Sequence, residues 1–148
     1  MHRASVTGGN LTLEFDVTVR IASVTFDCAD ALTVGTFWSA ALRRPLDPEA
    51  SSGFAAIGFA GRRDRVGWAS VERDDAPTWI FAKVPEAKIA KNRMHLDVTA
   101  PDPEAEVARL VELGATRVAD MEEYGYTWTV MADPEGNEFC VAKAHTDR

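Results

Sequence analysis

The sequence predicts an α+β domain built from two tandem βαβββ modules. Three observations lead to this fold class. Segments with alternating apolar and polar residues, typical of strands, surround two segments with helical spacing. Each helical segment follows an aspartate suited to cap its first turn, Asp30 in one case and Asp102 in the other. The same order of elements occurs twice along the chain, although the two halves share little identity.

Residues 1–19 are predicted to form an N-terminal extension. Its first ten residues include Gly8 and Gly9 and are typical of a loosely ordered leader. From Leu11 an alternation of apolar residues continues to Cys28, which indicates either one long strand or two. Three arrangements are open for the extension: an extra strand in the sheet, a strand given to a partner, or a loose segment.

The first module is predicted over residues 20–84. Its helix opens at Asp30 and carries Val34, Phe37 and Trp38 on one face, until two prolines end it. Three strand candidates follow, separated by turn-like segments. Their sequences are FAAIGFA at 54–60, VGWASVE at 66–72 and TWIFAKV at 78–84.

A basic linker is predicted over residues 85–92, the second module over 93–143, and a tail over 144–148. The linker is interpreted as a solvated segment, with a positively charged lip for an anionic ligand as the alternative. The second module begins with RMHLDVTA, and its helix starts after Asp102 and ends at Gly114. Its remaining strands are TRVADME, YTWTVMA and EFCVA, with DPEGN as a tight turn before the last.

The composition argues against several classes of function. A formal net charge of -7 and a pI near 4.9 speak against a nucleic-acid partner. The sequence shows no secretory signal and no apolar stretch long enough to cross a bilayer, so no membrane partner is expected. The two cysteines, Cys28 and Cys140, form no CxxC motif and are expected to be free thiols. We therefore expect a cytoplasmic protein.

The segment KNRMHLDV, residues 91–98, contains the main candidate for a functional site. His95 and Asp97 alternate with Leu96 and Val98, so on a strand the two polar side chains share one face. The simplest interpretation of His95 is a cavity-lining residue that is satisfied by a hydrogen bond. The alternative is ligand binding or proton transfer, since histidine titrates near neutral pH. His95 is therefore the candidate catalytic residue.

Cysteine and aromatic residues complete the candidate site. Cys140 is interpreted as a buried structural thiol, with a Cys–His nucleophile as the alternative. Aromatic side chains on several strands together predict a pocket for a flat organic ligand. The predicted ligand-binding residues are His95, Asp97, Trp68, Trp79, Trp128, Tyr126 and Cys140.

Three features together resemble the vicinal oxygen chelate superfamily: the repeated βαβββ unit, the segment HLDVTAPDPEAEVARLVELGAT and the segment DPEGNEF. This superfamily includes glyoxalase I, extradiol dioxygenases and bleomycin-resistance proteins. PEAKIAKNRMHLDV followed by DPEGNEFCV resembles the glyoxalase-like domain family that is common in actinobacteria. The resemblance covers residues 20–143. It implies a curved mixed sheet that encloses a cavity, with helices outside, and a homodimer.

Enzymes of this superfamily hold a divalent metal with one residue from the first strand and one from the last strand of each module. The resemblance implies that His95 and Cys140 occupy the two positions of the second module. In the first module the last-strand position falls on Ala82. The first-strand position falls on Ser23, or on Thr25 in a second possible alignment.

In that second alignment of the two modules, Asp27 is the residue equivalent to Asp97. Since a catalytic zinc, nickel or iron centre normally keeps three protein ligands, no metal and no other cofactor is expected. If a metal were present, His95 and Cys140 would hold it, and Asp27 or Asp97 would add an oxygen.

The sequence thus predicts a glyoxalase-like protein that binds an aromatic or anionic organic ligand in a cavity without a metal, as resistance proteins of the superfamily do. The alternative is a lyase or isomerase that uses His95 as an acid–base group or a metal ligand. A third hypothesis is an accessory domain whose partner defines its role. Glyoxalase I activity itself is not expected.

Overall fold

The structure, a computed structural model, describes residues 3–7, 10–14, 21–60, 76–123 and 125–143. Within these ranges no helix is long and apolar enough to span a membrane. The elements, in chain order, are β1 (Arg3–Thr7), β2 (Asn10–Glu14), β3 (Ser23–Cys28), α1 (Ala31–Leu42), β4 (Phe54–Ile57), β5 (Thr78–Lys83), β6 (Leu96–Ala100), α2 (Pro103–Glu112), β7 (Thr116–Glu123), β8 (Tyr126–Ala132) and β9 (Glu138–Lys143).

The second module has the predicted order of one strand, one helix and three strands. Its strands form a mixed sheet in the order β6, β9, β8, β7, in which β6 is parallel to β9 and the other pairs are antiparallel. Helix α2 begins after Asp102, whose side chain accepts a hydrogen bond of 3.1 Å from the Ala105 N–H. This cap satisfies one of the first-turn N–H groups, which have no partner within the helix.

The first module follows the same plan as far as the structure describes it. Its sheet has the order β3, β5, β4, with β3 parallel to β5 and β4 antiparallel to it. Helix α1 begins after Asp30, which accepts a hydrogen bond of 2.8 Å from the Thr33 N–H. The strand predicted over 66–72 lies outside the described residues. The α+β class is confirmed, and both sheets are open rather than closed.

The N-terminal region differs from its prediction. Strands β1 and β2 pair with each other in an antiparallel two-stranded sheet, with Thr7 opposite Asn10. Half of the predicted leader is therefore a strand. In the sequence two glycines separate the two strands, and such a pair is common at hairpin connections.

One aromatic cluster forms the centre of the hydrophobic core. The ring of Trp38 on α1 has its centroid 5.0 Å from Trp79 of β5 and 5.0 Å from Phe139 of β9. Phe37 and Phe26 lie 5.3 and 5.6 Å from the same ring. Because these side chains come from both modules, the modules share a single core rather than folding around separate ones.

The DPEGN loop between β8 and β9 ties the second module to helix α1. Asp133 is buried and accepts a hydrogen bond of 3.1 Å from Nε1 of Trp38. The same carboxylate accepts the backbone N–H groups of Glu135 and Asn137 at 3.0 and 2.9 Å, so it also shapes its own loop. A buried carboxylate needs such partners, because an unsatisfied one would be costly.

The next acidic residue of the loop caps α1 directly. The two carboxylate oxygens of Glu135 accept the backbone N–H groups of Ala29 and Asp30, each at 2.7 Å. The N-terminal end of a helix carries partial positive charge, so a carboxylate there is stabilising. At the opposite end of α1, Arg109 of α2 donates to the carbonyl oxygens of Ala40 and Ala41 at 3.1 and 2.8 Å. The second module thus holds α1 at both ends.

Replacing Glu135 by alanine should lower the free energy of unfolding by about 1 kcal/mol, because two backbone N–H groups lose a charged acceptor. Urea denaturation would measure the change. Glu122→Ala, an exposed acidic residue on β7, is the control and should change stability much less. Equal stability losses in both variants would contradict a capping role for Glu135.

Candidate functional site

The four-stranded sheet has one covered face and one open face. Phe139, Val141 and Met131 point towards the helices and are fully buried in the core. Since side chains alternate along a strand, the residues between them point the other way. We call this other side the open face; it carries His95, Asp97, Thr99, Met121, Tyr126, Trp128, Val130, Cys140 and Ala142.

Strand pairing sets the rows of side chains on the open face. Asp97 lies opposite Cys140, and Cys140 lies opposite Val130, so these three form one row across β6, β9 and β8. In another row Trp128 lies opposite Met121 of β7. The polar side chains of the open face therefore lie on β6 and, at Cys140, on β9, while β7 and β8 present mainly apolar ones.

The open face lines a cavity of about 990 Å³. This volume is at the upper end of the range found for small-molecule sites. Lys91 and Lys143 also line it, at the polar side. Neither lysine forms an ion pair within the part of the chain that the structure describes.

The polar side of the cavity contains a compact cluster. Nε2 of His95 lies 3.5 Å from Oδ1 of Asp97. The metal-ligating atoms of His95, Asp97 and Cys140 all lie within 4.8 Å of one another. The imidazole and the carboxylate are exposed, at 47% and 68% of their side-chain surface, whereas Cys140 is buried. The structure thus brings together the three polar residues that the sequence singled out.

Cys140 is not activated as a nucleophile in this arrangement. Burial raises the pKa of its thiol to about 11, and a hydrogen bond to Asp97 and the charge of that carboxylate add to the effect. Lys91 opposes the shift more weakly. The thiol is therefore protonated at neutral pH and interacts with a carboxylate, whereas a cysteine nucleophile requires a thiolate. The Cys–His alternative finds no support.

His95 and Asp97 suit proton transfer better. The Asp97 carboxylate lies beside one ring nitrogen of His95, the imidazole is about half exposed, and both side chains line the cavity. His95 also borders a second cavity, of about 470 Å³, which Thr25 and Asp27 of the first module line as well. The histidine is therefore reachable from two sides.

The basic linker runs along the rim of both cavities. Nζ of Lys88 lies 3.2 Å from Oε2 of Glu138, and the same oxygen accepts the Asn92 N–H at 3.0 Å. These contacts hold the linker against the start of β9. Lys91 is thereby placed beside the polar cluster, as the alternative interpretation of a charged lip requires.

The predicted aromatic residues separate into two groups. Trp128 and Tyr126 line the cavity. Trp79 does not: it is 8% exposed and stacks on Phe26 with ring centroids 5.6 Å apart. On β5 it shares the face of Phe81, which packs under α1, and so its predicted place in the pocket is corrected to the core. Trp68 lies outside the described residues.

Several cavity residues were missed by sequence reasoning. Val118 and Met121 of β7 and Thr99 of β6 lie in the wall of the cavity. The alternation in HLDVTA would have placed Thr99 beside Asp97. No such signal was available on β7, because its pairing with β8 is irregular between Arg117 and Ala119.

The four-residue metal centre implied by the superfamily resemblance does not fit this chain. Asp27 pairs with Ala82 in the first module as Asp97 pairs with Cys140 in the second. This equivalence makes Thr25, not Ser23, the counterpart of His95. A threonine hydroxyl and an alanine methyl group are not the imidazole, carboxylate or thiolate donors that such ions require.

Comparison with solved structures identifies the architecture. A glyoxalase/bleomycin resistance protein/dioxygenase family enzyme from Burkholderia phytofirmans PsJN is 16% identical, with a TM-score of 0.61 over 86% of this chain and 100% of the other. The bleomycin-binding protein of Streptomyces verticillus, complexed with copper(II)-bleomycin, is 14% identical, with a TM-score of 0.54 over 87% and 99%. A mutant of the fosfomycin resistance protein FosX from Listeria monocytogenes, complexed with Mn(II) and 1S,2S-dihydroxypropylphosphonic acid, is 9% identical, with a TM-score of 0.62 over 87% and 92%. At these identities the likeness shows the fold alone.

The family of this chain is established by its sequence rather than by these structural likenesses. No curated protein matches it. The model of the glyoxalase-like domain family, however, matches residues 23–142, which include nearly all of both modules, the His95 cluster and the DPEGN loop. This chain belongs to the glyoxalase-like domain family.

Proposed function

We propose that this protein binds a small organic molecule with an aromatic body and an anionic group on the open face of its second-module sheet, without a metal. The observation that supports this most strongly is that one cavity has two distinct parts. Its apolar wall is formed by Met121, Trp128 and Val130, and its polar edge by Lys91, His95, Asp97 and Lys143. Ligand sites typically combine a mostly apolar surface with a few polar anchors. The placement in an actinobacterial subgroup stays a prediction.

The apolar wall accounts for the affinity. Trp128, Val130 and Met121 present adjacent side chains that a planar ligand would cover. Each 100 Å² of apolar surface removed from water contributes about 2.5 kcal/mol. A ligand of ordinary size therefore needs no metal bond to be held. The bleomycin-binding protein of similar fold, complexed with copper(II)-bleomycin, supports this proposal by analogy.

The polar edge accounts for the preference for an anion. Lys91 and Lys143 have no acidic partner among the described residues and line the same cavity. An anionic group on the ligand would supply the missing partner. The His95 imidazole adds a hydrogen-bonding group next to Lys91.

The fluorescent aromatic anion 8-anilino-1-naphthalenesulfonate is a suitable probe of this site. We expect Trp128→Ala to weaken its binding about tenfold or more, because an aromatic wall residue is lost. Lys91→Gln should weaken binding through charge alone. Fluorescence titration would measure both. Phe54→Ala, an exposed aromatic outside this cavity, is the control and should bind normally; equal affinities in all variants would contradict the site.

A second candidate function is that of a lyase or isomerase. The observation in its favour is the 3.5 Å distance between Nε2 of His95 and Oδ1 of Asp97. In this function His95 takes a proton from a carbon next to a carbonyl group and returns it elsewhere on the substrate, while Asp97 orients the ring. The thiol of Cys140 stays protonated and takes no part.

Phenylpyruvate tests this second function, since it carries an aromatic ring, a carboxylate and an acidic carbon. The protein should accelerate its keto–enol interconversion, followed by ultraviolet absorption. His95→Gln should reduce the rate by about 10²–10⁴-fold while the probe still binds, and Asp97→Asn should reduce it less. Equal rates for the wild type and His95→Gln would exclude His95 as the acid–base group.

We also propose that two copies of the chain associate at the rim of the open face. Large apolar side chains are exposed around the two cavities: Val118, at 55%, borders the open-face cavity, and Met94, at 70%, borders the second cavity that His95 shares. Both border the cavities, so a second copy would cover the ligand as well as the rim.

Light scattering after size exclusion should therefore give twice the chain mass of 16.2 kDa. Val118→Lys combined with Met94→Lys should shift the protein to the monomer, since charge at a buried apolar contact is costly. Leu113→Lys, at an exposed apolar site after α2, should leave the dimer intact. A monomeric wild type would overturn this proposal and leave ligand binding untouched.

A further inference from the structure

We propose that the second cavity, of about 470 Å³, is a binding slot for an extended peptide whose main chain pairs with the free edge of β3. This goes beyond the proposed function, because it concerns a different cavity and a ligand that is recognised by its backbone. The volume lies within the range found for ligand sites. We call this cavity the slot.

The lining residues show that the slot lies at the edge of a strand and not on its face. Residues 24–27 of β3 all line it. Since successive side chains of a strand point to opposite faces, a cavity on one face would be lined by alternate residues only. Across the slot, residues 93–96 line it in the same consecutive manner and lead into β6. Among the described residues none of β5 lines it, so the slot lies on the side of β3 that faces away from β5.

The backbone groups of β3 at this edge have no strand to pair with in the part of the chain that the structure describes. The carbonyl oxygen of Cys28 accepts the Val84 N–H, just after β5, at 2.9 Å. In a parallel pair every second residue bonds to the neighbouring strand, so the even-numbered residues of β3 bond to β5. The odd-numbered residues direct their N–H and C=O groups to the free edge: Ser23, Thr25 and Asp27. Such an unpaired row is a template for another chain.

The dimensions of the slot suit one extended segment of about four residues. Four residues of a strand span about 13 Å, at about 3.3 Å each. Spread over that length, the volume of the slot gives a cross-section of about 36 Å². One strand within packed sheets occupies about 48 Å², because strands lie about 4.8 Å apart and sheets about 10 Å apart. The slot therefore has room for a single main chain with small side chains.

The side chains around the slot indicate which peptide would fit. Phe26 and Leu96 pack against the core and are nevertheless only half-buried, so apolar surface is left to cover. Among the described lining residues, the carboxylates of Asp27 and Glu86 lack an ion-pair partner, against one such cation, Arg93. Because the side chains of an extended peptide alternate, a segment of alternating apolar and basic residues matches both features.

Calorimetric titration with a blocked hexapeptide of alternating valine and lysine tests the slot. We expect saturable binding with one peptide per chain. The same peptide with methylated backbone nitrogens should bind at least tenfold more weakly, because it cannot donate main-chain hydrogen bonds to β3. Equal affinities, or no binding of either peptide, would overturn the proposal.

Two substitutions at Thr25 separate the main chain of β3 from its side chain. Thr25→Pro removes an N–H group at the free edge and spares the bonds to β5, so it should weaken binding about tenfold. Thr25→Val keeps that N–H group and should change the affinity much less; an equal loss in both variants would contradict main-chain pairing. Asp27→Asn should weaken binding severalfold, whereas Glu122→Gln, an exposed acidic residue on β7 outside the slot, should not. Circular dichroism melting would confirm that each variant is folded.

Amide hydrogen exchange tests the same edge without any substitution. In the peptide-free protein the N–H groups of Thr25 and Asp27 should exchange faster than those of Val24 and Phe26, which bond to β5. The peptide should slow the exchange of the first pair at least tenfold. Slow exchange before the peptide is added would mean that a second copy or another segment of this chain already occupies the edge. That result, or exchange that the peptide does not change, would overturn the proposal.

Competition separates the slot from the open-face cavity. Saturating 8-anilino-1-naphthalenesulfonate should leave the affinity for the peptide unchanged. Displacement of the peptide would place it on the open face and overturn the proposal. Normal binding of the anilinonaphthalenesulfonate without binding of the peptide would remove the slot and leave the proposed function standing.

Discussion

The hydrogen bond between Trp38 and Asp133 is the contact on which the rest of the structure depends. It joins the helix of the first module to the loop that precedes the last strand of the second, at the centre of the shared aromatic core. Because the pair is buried, neither group can exchange its partner for water, and the loop has one favourable position. The loop leads directly into β9, in which Cys140 lies opposite Asp97 of β6.

Period-two alternation predicted much of the candidate site, because it assigns residues to a face without knowledge of the fold. It placed His95 with Asp97, and their neighbours Leu96 and Val98 do pack against the core. It could not decide which face of a strand is covered. Trp79 was therefore assigned to the pocket, although helix α1 covers its side of β5. An aromatic residue suits either environment, so only the tertiary packing separates them.

The DPEGN segment gives a second reason why the sequence predicted only part of the structure: the long-range contacts of this loop leave no local pattern. Proline and glycine explain the turn completely, so nothing in the segment required a further role. The carboxylates of Asp133 and Glu135 nevertheless bind groups nearly a hundred residues or more away in the sequence, on and beside α1. Contacts between residues so far apart in the sequence depend on how the two modules pack together. They produce no local periodicity in the sequence by which they could be detected. The strand over residues 3–7 was missed for a simpler reason, since the two glycines that follow it in the sequence indicated a loosely ordered leader.

The two faces of the second-module sheet differ in what a substitution would cost the folded state. A change at Phe139 or Met131 opens a hole beneath the helices and threatens the folded state, whereas a change at Thr99 or Trp128 alters a surface that water already reaches. Successive residues along β6, β8 and β9 are therefore expected to differ in how much their substitution destabilises the protein. A substitution at one of the open-face positions therefore changes the surface of the cavity and leaves the packing beneath the helices intact.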